Sequence, residues 1–138
     1  MRSWIICVGV LLAGCGSAPK KTEGLKQVSG TVTYKGQPVT KGVITFVTGE
    51  QKGITAAGSL DASGKYTLRS DVNSPGARPG AYKVRIEAWL TEPGMADGKF
   101  TPGKAAIPEK YFSAEKSMLT ATVAGDKDPQ TFDFDLKD

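Results

Sequence analysis

The sequence predicts an all-β protein, a seven-stranded and mainly antiparallel β-sandwich. Three observations carry that expectation. Apolar residues recur with period two in seven separate runs, so each run has one inward face and one wet face. Turn residues separate the runs, and most of these turns are shorter than the dozen or more residues a parallel crossover needs. No stretch repeats apolar residues at helical spacing over a helical length. At 138 residues the chain has room for one domain.

The first run has Val28, Gly30, Val32 and Tyr34 alternating with Ser29, Thr31 and Thr33. Residues 35–38 (Lys-Gly-Gln-Pro) form a turn, with Pro38 unable to donate to a ladder. Residues 43–48 are rich in β-branched side chains and form the second strand. Ile54, Ala56, Gly58 and Leu60 share one face of the third. The Asp-Ala-Ser-Gly sequence at 61–64 is a tight turn, since Asp bonds its own backbone two residues on and Gly accepts positive φ. Tyr66 and Leu68 point inward from the fourth strand. After a Pro- and Gly-rich break at 75–80, Tyr82, Val84, Ile86 and Ala88 face in while Lys83, Arg85 and Glu87 face out. Residues 118–123 form a sixth strand and 131–136 a seventh, with Phe132, Phe134 and Leu136 inward and Thr131, Asp133 and Asp135 outward.

The N-terminus has a different character. Arg2 precedes an apolar run of ten residues, 4–13, too short for a hydrocarbon layer that takes about 20 helical residues to cross. The run ends in Leu12-Ala13-Gly14-Cys15, which resembles the lipobox of bacterial lipoproteins. That resemblance implies a signal peptide at 1–14, cleavage before Cys15, a diacylglyceryl group on its thiol and further acylation of its amine. Two or more acyl chains hold a protein stably on a membrane where one does not. Residues 15–26 read as the lipidated cysteine and a flexible Gly-, Ser- and Pro-containing tether, leaving 27–138 for the sandwich. Gly16, in place of Asp, resembles lipoproteins sent to the outer membrane. The expected location is therefore the cell envelope, on the periplasmic or external face.

Several segments in order carry a second resemblance. They are Val28-Ser-Gly-Thr-Val-Thr-Tyr-Lys-Gly-Gln-Pro-Val39, Gly42 opening a strand, Ser59-Leu-Asp-Ala-Ser-Gly-Lys-Tyr-Thr-Leu68 and Pro79-Gly-Ala-Tyr-Lys-Val84. This series is similar to the carboxypeptidase regulatory-like domain, a seven-stranded sandwich of the transthyretin-like type. Ile107-Pro-Glu-Lys-Tyr111 and Thr131-Phe-Asp-Phe-Asp-Leu136 resemble segments of small bacterial lipoproteins built on that domain. The resemblance implies a structural or binding module. One transthyretin-like relative, the hydroxyisourate hydrolase, relies on histidines and a C-terminal Tyr-Arg-Gly-Ser. This chain has no histidine and ends Phe-Asp-Leu-Lys-Asp, so that activity does not transfer.

Composition narrows the chemistry further. Without histidine the chain lacks the commonest general base and nitrogen metal ligand, and Cys7 and Cys15 both precede the domain. No catalytic residue, cofactor or metal site is expected. The net charge is +4, or +3 once Arg2 leaves with residues 1–14, and its densest basic cluster is Lys20-Lys21, which makes no nucleic-acid patch. Asp126, Asp128, Asp133, Asp135 and Asp138 cluster near the C-terminus, but their spacing is not that of a calcium loop.

The segment 92–106 is the candidate partner-binding region. Four residues in it break regular structure (Pro93, Gly94, Pro102, Gly103), and long loops on rigid sandwiches often carry binding. Trp89, Met95 and Phe100 are its candidate contacts. The competing and plainer reading has Trp89 covering the base of the loop and Phe100 packing into the sandwich edge. The expected function is a membrane-anchored, monomeric and non-catalytic structural or protein-interaction module, with a carbohydrate- or peptidoglycan-binding module as the alternative. Because residues 27–138 carry neither thiol nor imidazole, adding EDTA should leave the thermal midpoint of the protein unchanged. A large downward shift would restore the acidic cluster as a calcium site, since a ligand bound only by the native state stabilises it.

Overall fold

The structure, a computed structural model, describes residues 24–48 and 56–138. The predicted signal peptide, Cys15 and most of the tether lie outside the described residues, as does Ile54. Among the described residues fourteen short strands form two packed sheets and one separate hairpin, an all-β sandwich.

The first sheet centres on β1 (Val28–Tyr34), which turns back through Lys35-Gly36 into β2 (Gln37–Pro38). Both turn residues have positive φ, 51° and 78°, as the mirror-image hairpin turns require. The second sheet begins with β3 (Gly42–Thr48) and β4 (Ala56–Ser59). The chain then crosses to β5 (Lys65–Thr67), antiparallel to β1, and returns as β6 (Arg69–Asp71) and β7 (Ser74–Pro75) on the edge beyond β4. The long strand β8 (Gly80–Thr91) pairs with β3 along seven residues, from Gly42 opposite Ala88 to Thr48 opposite Tyr82. Next come β9 (Gly94–Ala96), β10 (Lys99–Thr101) and β11 (Lys104–Ala105), the last lying back against β8. A short 3-10 helix (Glu109–Phe112) leads to β12 (Leu119–Val123), beside the first half of β8. The chain ends with β13 (Gln130–Thr131) and β14 (Phe134–Leu136), both against β1.

Each predicted run carries a strand, and its inward set among the described residues is buried except for Tyr34 and Phe132, which are half-buried. Val28, Val32, Ile44, Phe46, Leu68, Val84, Ile86 and Leu136 are all fully buried. Burying side chains of this kind contributes roughly 1.5–3 kcal/mol each. Phe46 sits at the centre, its ring 5.8–6.3 Å from those of Tyr66, Tyr82, Phe132 and Phe134 in tilted or edge-on contacts. These four rings come from both sheets, so one phenylalanine ties the layers together.

One pairing departs from the antiparallel pattern. β1 runs parallel to β13 and β14 in a constant register, Val28 opposite Gln130 and Val32 opposite Phe134. The crossover that parallel strands need is the whole chain between them. The strand is interrupted at Phe132, whose carbonyl turns over Gly30 and accepts a 2.5 Å hydrogen bond from the Tyr66 hydroxyl. Asp133 then takes over, its carboxylate accepting from the Thr31 N–H at 2.8 Å. The acidic C-terminus therefore staples the first strand. Asp128 accepts from the Gln27 N–H at 3.0 Å, and Asp135 from the Thr33 hydroxyl at 3.2 Å. Asp138 receives the Tyr34 hydroxyl and lies 2.7 Å from the Lys35 ammonium. Among the described residues no three metal-capable side chains converge.

Gly30 is required by that close approach. A Cβ there would stand 1.9 Å from the Phe132 carbonyl oxygen and 2.8 Å from the Tyr66 hydroxyl. Gly30→Ala should therefore destabilise the fold by about 3 kcal/mol or more, read as the loss in a urea or thermal melt. Burial pushes the Tyr66 hydroxyl well above its ordinary value, so it stays a donor through neutral pH. Its native pKa is raised, so its contribution is full below the unfolded value near pH 10 and is lost as pH climbs above that. Tyr66→Phe should cost about 1–3 kcal/mol at pH 8, and the gap from the native protein should narrow above pH 10. A gap that stays constant to pH 12 would deny the Tyr66–Phe132 bond this role.

Candidate functional site

The two ends of the sandwich differ. At one end the chain is already seated before β1, because Leu25 is buried and Lys26 exchanges hydrogen bonds of 2.8 and 2.9 Å with Ala77. β8 starts three residues beyond Ala77 and runs twelve residues away from that end, roughly 40 Å at about 3.3 Å per residue. β1 runs the same way, and its last residue, Tyr34, lines a cleft with Trp89 and Leu90 of β8. The segment 92–106 therefore projects from the pole opposite to the one where the N-terminal segment joins.

This segment is not an irregular loop, which corrects the expectation. It is a two-stranded hairpin, β9 and β10, followed by a return strand, β11. The hairpin turn is Asp97-Gly98, with φ of 51° and 72°. An Asp-Gly pair between short extended runs is a strong sequence signal for such a hairpin, and it was overshadowed by the neighbouring prolines and glycines. Met95 stands directly opposite Phe100, so the two share one face, while Ala96 opposite Lys99 and Gly94 opposite Thr101 share the other. Met95 and Phe100 are 70% and 67% exposed. Phe100 thus stands in solvent and does not pack into the sandwich edge.

Trp89 has a different environment. It is half-buried, and its ring meets Phe112 edge-on with centroids 4.8 Å apart. Gly103 passes so close that a Cβ there would lie 2.8 Å from the indole and 2.6 Å from Pro93. Trp89 therefore supports the close of the hairpin stem, and Phe112 of the 3-10 helix packs against the same ring. The three candidate residues are close in sequence but fall into two groups, an exposed Met95–Phe100 pair and a supported Trp89.

Trp89 also joins a group that sequence reasoning missed. Tyr34, Gln37, Thr40 and Lys41 lie across a cleft of about 340 Å³ from it. Gly42, Ser59, Glu87 and Glu92 border a second cleft, of about 580 Å³, and Lys41 and Trp89 belong to both. Lys41 has a φ of 54°, unusual for a residue with a side chain. No local sequence signal marks it, because the conformation is imposed by its neighbours. Val39 donates to the Val32 carbonyl at 2.9 Å on one side, and Gly42 accepts from Leu60 at 2.8 Å on the other. At the rim, hydrogen bonding from Lys35 and then Tyr34 lowers the Asp138 carboxyl pKa, while the Asp138 partner raises those of Lys35 and Tyr34. All three groups are solvated, so this cluster marks the rim and is no buried acid–base device.

No protein-family model and no curated protein matches the chain. Among solved structures it is similar to a proposed carbohydrate binding protein from Pseudomonas aeruginosa, at 14% identity and a TM-score of 0.43, over 81% of this chain and 88% of that one. It is also similar to a DUF3823 family protein from Parabacteroides merdae, at 13% identity and a TM-score of 0.39, over 81% of this chain and 44% of the other. A third likeness is to a 9R-lipoxygenase from Cyanothece, at 11% identity and a TM-score of 0.37, over 83% of this chain and 16% of that one. Likenesses this distant carry no statement about ligand or activity.

The two groups of aromatic residues should separate under mutation. Trp89→Ala removes a supported ring and should cost about 2–3 kcal/mol in a melt, below the 3–5 kcal/mol typical of a fully buried tryptophan. Phe100→Ala should change stability by no more than about 0.5 kcal/mol, as an exposed position does. Equal losses at both sites would mean that the hairpin packs against the sandwich.

Proposed function

We propose that this protein is a lipid-anchored envelope protein whose β-sandwich is a non-catalytic interaction module with the hairpin pole as its working surface. What carries it is the opposition of the two poles. The N-terminal segment joins beside Ala77, whereas Met95, Phe100 and the Trp89 clefts lie at the far end of β8.

Tether length supports the same orientation. Only eight residues, 16–23, separate Cys15 from the described domain. At no more than about 3.6 Å per residue they span about 30 Å. Lipid on Cys15 would therefore keep the sandwich near the membrane with the pole at Lys26 toward it, and the hairpin would face an envelope protein or glycan beyond. An exposed Phe–Met pair on a two-stranded hairpin is unusual for a surface with no partner, since such ribbons are marginal alone and exposed apolar groups promote association. The non-catalytic assignment draws on sequence, in the absence of histidine and of any thiol after position 15. The outer membrane is the favoured location because position 16 is Gly.

Cys15→Ala should leave the protein unlipidated and move it from the membrane fraction to the soluble fraction. Mass spectrometry of the native protein should find an acylated cysteine as its first residue. An unmodified N-terminus at Ser17 or Pro19 would exclude the anchor. The paired change Met95→Ser with Phe100→Ser should leave the melt within about 0.5 kcal/mol and abolish site-specific cross-linking from position 99 to a neighbour in intact cells. Unchanged cross-linking would remove the hairpin as the contact surface.

A further inference from the structure

The clefts on either side of Trp89 have their own chemistry, distinct from the hairpin face. Together they form an open trough crossed by one ridge, Lys41 and Trp89. Their volumes, about 340 and 580 Å³, lie in the range of small-ligand sites. An occupant that fills both must be longer than one ring and must pass over the indole.

The floor of the second cleft excludes one kind of ligand. β3 is paired on both sides, Val43 lying opposite Glu87 of β8 and Ser59 of β4. β8 at Trp89 pairs with Ala105 of β11 on one side. A peptide binding as an added strand needs an unpaired edge of main-chain donors and acceptors. Along β3 none is offered, so recognition in the second cleft falls to side chains.

Those side chains are of two types. Tyr34 and Trp89 supply aromatic surface, Tyr34 to the first cleft and Trp89 to both. Between and beyond them stand the Gln37 amide, the Thr40 and Ser59 hydroxyls, the Lys41 ammonium and the Glu92 carboxylate. Aromatic faces match the apolar C–H faces of pyranose rings, and mixed donors and acceptors match their hydroxyls. Charge is nearly balanced, with Glu87 already 3.1 Å from Arg85. That disfavours a highly charged ligand.

Two features make the ridge rigid before anything binds. Phe112 and the close passage of Gly103 fix the indole. Backbone hydrogen bonds on both sides hold Lys41 at its φ of 54°. A non-glycine residue kept in that region by its surroundings points toward function, and rigid contacts lose less freedom on binding.

We propose that the Lys41–Trp89 ridge is a binding site for an unbranched oligosaccharide, lying from Tyr34 across the indole toward Glu92. This deepens the interaction-module reading by giving one site of the working pole a ligand class. It does not depend on the lipid anchor.

The sequence contains two tryptophans, Trp4 and Trp89. In the full chain carrying Trp4→Phe, indole emission therefore reports Trp89 alone. Titration in detergent with chitotetraose, cellotetraose and tetra-alanine tests the proposal. One of the two sugars should shift the emission saturably, with a Kd between about 10 µM and 1 mM, and tetra-alanine should not. Lys41→Gly removes the ammonium while tolerating positive φ, and Gln37→Ala trims an exposed amide. Together they should weaken sugar binding by about tenfold or more, whereas Phe100→Ser should not. Silence of both sugars to about 10 mM, an equal response to tetra-alanine, or full affinity in the double variant would each overturn the site. Sugar binding accompanied by new reducing ends would support the site while overturning the non-catalytic assignment. Sugar binding by Cys15→Ala protein would support it whatever the fate of the anchor.

Discussion

The parallel pairing of β1 with β13 and β14 is the constraint on which the rest of this fold depends. It joins residues a hundred positions apart, and closing a loop of that length costs roughly 4 kcal/mol of chain entropy. Main-chain hydrogen bonds do not hold it alone, because the ladder breaks where Phe132 turns its carbonyl over Gly30. Side chains cover the break. Asp133 substitutes its carboxylate for a missing main-chain acceptor, and Tyr66 reaches across from β5 to the displaced carbonyl. The C-terminal end is held again at Tyr111, whose hydroxyl donates to the Lys137 carbonyl and accepts from the Lys137 N–H at 2.7 and 2.9 Å.

That closure is coupled to the core. Phe132 and Phe134 reach the Phe46 ring only when β14 is seated on β1, and Phe46 belongs to the other sheet. Seating the last strand therefore completes both the first sheet and the packing between layers. Non-local contacts of this kind reward the chain only after the closure entropy has been spent, which favours slow and cooperative folding. Gln130 adds a local brace, its buried amide bonding Ala124 N–H, Ala124 O and Lys127 O to hold the preceding turn.

Strand direction decides which groups share a pole. β1 and β8 lie in different sheets but both lead away from the pole where Lys26 meets Ala77. Their ends bring Tyr34 and Trp89 to one trough, and the hairpin grows from the end of β8 beside it. The pair of sheets thus separates the pole that the N-terminal segment joins from the pole that carries the hairpin. The hairpin pole has two kinds of surface, an exposed apolar pair on a marginal ribbon and a braced aromatic ridge among polar groups.

The sequence by itself determined which residues form strands and which face of each strand is buried. Period-two alternation is a local property, and the inward sets of Val28 to Val32, Tyr82 to Ala88 and Phe134 to Leu136 could be read from neighbours alone. The Asp97-Gly98 hairpin was equally local and legible, although the surrounding Pro and Gly residues read as a loop. The acidic residues at 128, 133, 135 and 138 could be counted but not interpreted, because their partners at 27, 31, 33 and 34 lie a hundred residues away. Likewise Trp89 showed its out-of-phase position in the sequence, but not Phe112 beneath it, Gly103 against it or Lys41 beside it. Only the tertiary structure decided those contacts. Strand pattern is set by each residue's own side chain and backbone preference, whereas pairing order and cleft walls arise from the one long-range closure that lets both sheets bury their inward faces together.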